Sequence, residues 1–368
     1  MKYLDEFRDG RASQSLLEKI RQRVTRPWVL MDVCGGQTHS LVRYGIEREL
    51  AGQVELIHGP GCPVCVTSTE LIDFAVALAM QPDTIVASFG DMIRVPGSDQ
   101  SLMQARSCGG RLKIVYTPID AIALAQRNPD SQIVFLAVGF ETTTPSTALA
   151  VLQATQLGLQ NFSIVPAHVR VLPAMETIMQ LPENRVEGFL AAGHVCSITG
   201  YDVYESFVAK HRVPVVVTGF EPVDLLEGIL QAVTLLEAGK AVIENRYSRN
   251  VQRHGNPNAQ ALIDRVYEID DRDWRGFGTI SGGGYRLRDE YAQMDACRKF
   301  ARLLPPSARK DSECRGADVM SGKIKPKQCP AFGKTCSPES PLGAPMVSSE
   351  GACAAYYRFD PITIEARQ

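Results

Sequence analysis

Nowhere in these 368 residues does an apolar run approach the ~18 residues of a membrane-spanning helix. The opening MKYLDEFRDG is charged and no apolar stretch follows it, so no secretory leader is expected. Neither sign of charge is in excess, with 39 basic against 41 acidic side chains. That balance argues against general binding to nucleic acid or to an anionic membrane surface. There is no G-x-x-x-x-G-K-[ST] and no clean G-x-G-x-x-G after a strand-like run, so a nucleotide site is not supported. The expectation is a soluble, cytoplasmic protein. Its length allows two or three domains at roughly 100–200 residues each, and a hydrophobic content of 45% can fill their cores.

Against these absences stand ten cysteines. In a cytosolic chain of this size they do not make a disulfide scaffold, because a reducing compartment keeps most thiols free. Cys108, Cys196 and Cys297 read as small buried hydrophobes. The others sit among Gly, Pro and Lys and need another explanation.

Residues 1–25 carry Leu4, Phe7, Leu16, Leu17, Ile20 and Val24 at helical spacing. Eight strand-like runs follow: Trp28–Cys34, Val54–His58, Thr84–Phe89, Leu112–Tyr116, Gln132–Val138, Phe162–Ala167, Gly188–Ala192 and Val213–Thr218. Most are continuously apolar, as parallel strands covered on both faces are. Helical patterns separate them, at 70–80, 101–107, 120–126, 144–157 and 222–238. The expected fold is α/β: two doubly wound, Rossmann-like parallel-sheet domains facing a cleft, plus a smaller loop-rich domain. The turns Gly139-Phe140-Glu141-Thr142 and Gly219-Phe220-Glu221-Pro222 echo each other. A break near 117–131 then places four strands on each side, giving domains at 26–125 and 126–240. Residues 1–25 and 241–368 are assigned to the third domain. Asn256–Ile269 reads as a helix and Thr279–Arg286 as a hairpin around SGGG. From Leu303 to Ser349 apolar runs are scarce, so this tail needs a staple.

Cys314, Cys329, Cys336 and Cys353 can supply that staple, as C-x14-C-x6-C-x16-C. Four thiolates hold a zinc ion or an iron–sulfur cluster. No close C-x(2–4)-C pair occurs among them, which favours a [4Fe–4S] cube over zinc, with free thiols as the remaining reading. Lys323, Lys325, Lys327 and Lys334 are placed to offset the negative charge. Cys62-Pro63-Val64-Cys65 follows a strand and precedes a helix, where the macrodipole lowers a thiol pKa. A redox dithiol, half a metal site and an inert pair are the readings open to it. Cys34, in Met31-Asp32-Val33-Cys34-Gly35-Gly36-Gln37-Thr38-His39, ends the first strand beside two glycines that let backbone approach a ligand. It reads as a chemical thiol or as a buried strand-end cysteine. His39 reads as a base, a donor, a metal ligand or a structural residue. Glu141 reads as a helix-start acid or a cleft residue, while His58, His168 and His194 carry little signal at their strand ends.

In order along the chain, MDVCGGQTH (31–39), HGPGCPVCV (58–66), FGDMIRVPG (89–97), GFETTTP (139–145), GFEPVDLL (219–226) and the tail from GKIKPKQCP to VSSEGACAAYY resemble the HypD family of hydrogenase maturation proteins. The resemblance implies two α/β domains and a third with a [4Fe–4S] cluster. It implies a scaffold, shared with a small HypC-type partner, on which an iron ion receives two cyanides and a carbon monoxide. HypE is the implied cyanide donor, in a HypC–HypD–HypE complex. Cys34 is then the ligand of an Fe(II) carrying CN and CO. Cys62 and Cys65 are the redox dithiol, and Cys314, Cys329, Cys336 and Cys353 bind the cluster. Some relatives carry a further cysteine where this chain has Ile324, which supports four ligands here. On this reading the protein is a redox-active scaffold more than a turnover enzyme. A free-standing [4Fe–4S]-dependent thiol–disulfide reductase and a zinc-stapled binding protein are the competing classes.

Overall fold

The structure is a computed structural model and describes residues 5–306 and 313–360, so Leu4 of the first helical pattern lies outside it. All eight expected strands form: β1 (Trp28–Asp32), β2 (Val54–His58), β3 (Thr84–Ser88), β4 (Leu112–Ile114), β5 (Gln132–Gly139), β6 (Phe162–His168), β7 (Gly188–Ala192) and β8 (Val215–Thr218). A short β9 (Ile243–Asn245) and an antiparallel pair, β10 (Tyr267–Trp274) and β11 (Gly278–Leu287), complete the set.

Two parallel sheets result, but they do not divide the chain at 125/126. One has the order β2-β1-β7-β8-β9 and the other β4-β3-β5-β6. The chain lays down two strands, leaves to build a complete second sheet, and returns as β7. Leu30, Met31 and Asp32 of β1 then pair with Gly188, Phe189 and Leu190. Apolar runs report burial on two faces and say nothing about which strand lies alongside, so a split by chain order was the wrong grouping.

Two segments assigned to the third domain pack on the sheets. Helix Gly10–Arg23 buries Leu17 and Ile20 against Leu225, Leu226 and Ile229 of helix Pro222–Glu237, in the core of the first sheet. Tyr267, Tyr285 and Leu287 of the antiparallel pair join the core of the second sheet with Phe162 and Ile164. The turn of that pair falls between Trp274 and Gly278, and SGGG lies inside β11. Gly284 has the carbonyl of His168 2.7 Å from where a Cβ would stand, so the glycines admit the neighbouring strand rather than make the turn.

In the first sheet, β1 sits between β2 on one side and β7 on the other, so the strand order reverses there. A ligand crevice is expected outside the carboxyl ends of strands at such a point. Cys34 lies two residues past the end of β1, and His194 two residues past the end of β7.

Candidate functional site

Cys34 is in extended conformation and is the N-cap of helix Gly35–Arg43. The two glycines are therefore the first turn of a helix, not a loop. They admit close neighbours: a Cβ on Gly35 would stand 2.4 Å from Cβ of Glu350, and one on Gly36 would stand 3.3 Å from the Phe220 ring. The thiol is 2% exposed. Its Sγ is 3.6 Å from Nδ1 of His194, and the nearby amides of Gly36 and Gln37 favour its thiolate. Burial pushes the Cys34 pKa up, more than those amides pull it down. Burial also lowers His194 to about 4, so its imidazole is neutral beside the thiol. Phe220 packs on that imidazole at 5.2 Å between ring centres. A metal ion arriving at this thiol would displace its proton.

Cys62 and Cys65 are joined by a disulfide, with Cα atoms 5.2 Å apart. Cys62 caps the one-turn helix Pro63–Val66, and its Sγ accepts the Cys65 amide at 3.2 Å. Gly61 brings this turn onto Cys34: a Cβ there would stand 2.2 Å from the Cys34 nitrogen. The Gly35 amide donates to the Gly61 carbonyl at 2.7 Å.

The four tail cysteines line one cavity of about 20 Å³, with Phe332, Leu342 and Met346 among its walls. Burial raises the Cys353 pKa, and the neighbouring Cys314, Cys336 and Cys329 raise it further. The thiols are thus close enough to repel one another as thiolates. The Leu342 amide donates to Cys336 Sγ at 3.4 Å, and a Cβ on Gly343 would stand 2.2 Å from Cys314 Sγ. Among the described residues no group of three or more His, Cys, Asp or Glu is arranged around a single metal ion. Four sulfurs around an apolar cavity, with an amide donor and bare backbone beside them, are a donor set that a polynuclear cluster accepts. The expected lysine collar is corrected. Lys325 pairs with Glu47 at 2.6 Å, Lys327 with Asp360 at 2.5 Å and Lys323 with Glu183 at 3.3 Å. The cation that feels Cys314 is Arg275. Its guanidinium also donates to the carbonyls of Thr67 and Pro96, both at 3.0 Å. Arg275 follows a strand in a turn and carries no sequence signal of its own.

The cavity is joined to the dithiol through helix Ala344–Val347, whose Ala344 and Val347 share a core cluster with Val64. Glu350, three residues before Cys353, abuts Gly35. The segments that carry the three cysteine groups thus touch one another. The structure does not bring His39 to the Cys34 thiol: His39 Nδ1 bonds the Ser349 carbonyl at 3.1 Å, and its ring meets Phe359 edge-on. Glu141 does not cap the helix that follows it. It accepts the Val171 amide at 3.1 Å, and burial raises its pKa to about 7. His168 is buried, with its pKa lowered to about 3 by burial and then by Arg272. His194, dismissed on sequence as one of several strand-end histidines, is the one that reaches Cys34. Only the pairing of β1 with β7 distinguishes it.

The sequence model of the HypD family, described as "Hydrogenase formation hypA family", matches residues 11–360. The chain is 44% identical over 368 residues to the hydrogenase maturation factor HypD of Azotobacter vinelandii, covering 98% of this chain and 97% of that protein. It is 44% identical over 370 residues to the Rhodobacter capsulatus HypD (98% of each chain). It is 42% identical over 367 residues to that of Escherichia coli strain K12, again 98% of each. A match of this extent makes the chain a member of the HypD family of hydrogenase maturation factors.

Proposed function

We propose that the protein is the scaffold on which the iron unit of a [NiFe]-hydrogenase receives its two cyanides and carbon monoxide. It acts with a HypC-type partner that completes the iron coordination and with HypE as cyanide donor. The observation that carries the reading is the shared backbone contact: Gly61 of the dithiol turn and Glu350 of the cluster tail both press on the Cys34–Gly35 pair.

The cargo iron binds as substrate at the Cys34 thiolate, a soft ligand suited to low-spin Fe(II). The Gly36 and Gln37 amides favour the thiolate, His194 stands neutral beside the sulfur, and Phe220 packs on its ring. A [4Fe–4S] cluster held by Cys314, Cys329, Cys336 and Cys353 would supply electrons one at a time. Two electrons and two protons convert the Cys62–Cys65 disulfide to two thiols, which serve the iron next door. The reductase alternative is less well supported, because Cys62 and Cys65 are 4% and 1% exposed. A protein disulfide has no path to them in this conformation. The described helices include none long and apolar enough to cross a membrane, which agrees with a cytoplasmic site of action.

The test is infrared spectroscopy of protein isolated anaerobically with its partner. Metal–cyanide and metal–carbonyl bands are expected for the wild type. Cys34→Ala should lose them while keeping the visible absorption of the cluster; full bands in that variant would sink the assignment.

A further inference from the structure

One buried imidazole touches every segment that carries a cysteine group. His58, 3% exposed, ends β2 four residues before Cys62. Its Nδ1 is 2.6 Å from Oδ2 of Asp32, two residues before Cys34. The other oxygen of Asp32 accepts the Thr38 hydroxyl at 2.6 Å, tying in the Cys34 helix. On the far side, His58 Nε2 faces Glu47 Oε2 and the Tyr356 hydroxyl, each at 3.5 Å. Tyr356 is one helical turn past Cys353, and it also bonds Glu47. Lys325, four residues before Cys329, pairs with Glu47 and donates to the Leu56 carbonyl. Two carboxylates and two cations thus alternate from the end of β1 to the tail.

Packing alone does not close this junction. A cavity of about 200 Å³ separates Ile57 and His58 from the tail segment around Lys323–Pro326. A buried ion pair broken on one side is strongly destabilising, because it leaves an uncompensated charge. The alternating charges therefore act here beside the packing of Ala355 and Tyr356 on Val42.

We propose that His58 is a positioning residue: its imidazole, clamped between Asp32 and Glu47, latches the cysteine-bearing tail onto the turns that carry Cys34 and the dithiol. The inference deepens the scaffold reading by naming what keeps the three cysteine groups in contact. With the latch released, Glu350 lifts from Gly35 and Cys34 becomes accessible.

The test is site-resolved alkylation of the full-length protein by N-ethylmaleimide, read by peptide mass spectrometry. Cys108, which is exposed, serves as internal reference. His58→Gln is expected to raise Cys34 labelling relative to Cys108 by roughly tenfold, as an opened local structure does. His58→Gln combined with Glu47→Gln, which restores charge balance, should return it most of the way. An unchanged ratio in a folded His58→Gln variant overturns the proposal. So does a double variant as open as the single one, since that outcome assigns His58 to packing. If His58→Gln does not fold, Tyr356→Phe is read in the same way. It removes one hydroxyl, and a ratio equal to the wild type overturns the latch. Cys34 labelling needs neither iron nor partner, so failure of the latch and failure of the scaffold reading are distinguishable.

Discussion

Cys34 Sγ and His194 Nδ1 stand 3.6 Å apart although 160 residues separate them. The contact exists because β1 and β7 are parallel neighbours whose chains both turn outward at their carboxyl ends. It gives a buried thiol a neutral imidazole.

Removal of that imidazole should weaken iron binding without removing the ligand. Partners just outside a metal's ligands are worth about 10–100-fold in affinity. His194→Ala is expected to retain about a tenth of the iron at limiting metal or less, measured by elemental analysis of the complex with its HypC-type partner. Wild-type iron content would assign the ring to packing.

Gly61→Ala should move the Cys34 backbone, because the new Cβ would stand 2.2 Å from its nitrogen. Overpacking of this kind costs about 1–3 kcal/mol, readable as a lower urea midpoint. Gly10→Ala is the control: nothing lies within 4 Å of its added Cβ. Equal midpoints for the two variants would contradict the close approach of the two turns.

Stability should depend on pH through His58. Burial alone would lower its pKa, but Asp32 and then Glu47 outweigh burial and raise it from 6.5 to about 9. The charged and titratable groups facing it are Asp32 from β1, Glu47 from helix Ile46–Glu49, Tyr356 from the last helix, and Lys325 through Glu47. A raised folded-state pKa means the stabilisation is complete below pH 6.5 and is lost as pH rises through 9. The wild type should lose on the order of 2 kcal/mol more than His58→Gln across that window. Parallel curves for the two proteins in urea unfolding at pH 6 and pH 9.5 would refute this.

Arg275→Gln removes the cation that feels Cys314. Net charge near an iron–sulfur centre tunes its potential. A negative shift on the order of tens of millivolts is expected in a potentiometric titration. An unchanged potential would locate the compensating charge elsewhere.

Local signals in the sequence were read correctly where the cause was local. Helix Pro118–Arg127 starts at a Thr117 capping box and helix Leu102–Ser107 at a Ser101 one, close to where periodicity placed them. Cys62 does cap a helix, though a one-turn helix distinct from the one beginning at Thr69. The lysine-rich tail misled for a physical reason. Lysine is long and pairs with whatever carboxylate it reaches, so three of the four lysines, Lys325, Lys323 and Lys327, find Glu47, Glu183 and Asp360 in space. His39 misled likewise: proximity along a helix does not aim a side chain at a residue before that helix begins.

By itself the sequence determined the eight strands, their parallel character and the grouping of cysteines into a single thiol, a pair and a set of four. Each rests on short-range pattern: apolar runs, turn residues and spacing. Only the tertiary structure decided that β1 lies between β2 and β7, that His194 rather than His39 meets Cys34, and that Arg275 rather than a lysine is the cation felt by Cys314. Those outcomes depend on which distant segments pack together. That choice is made by the summed burial and charge matching of the whole chain, and no local window contains it.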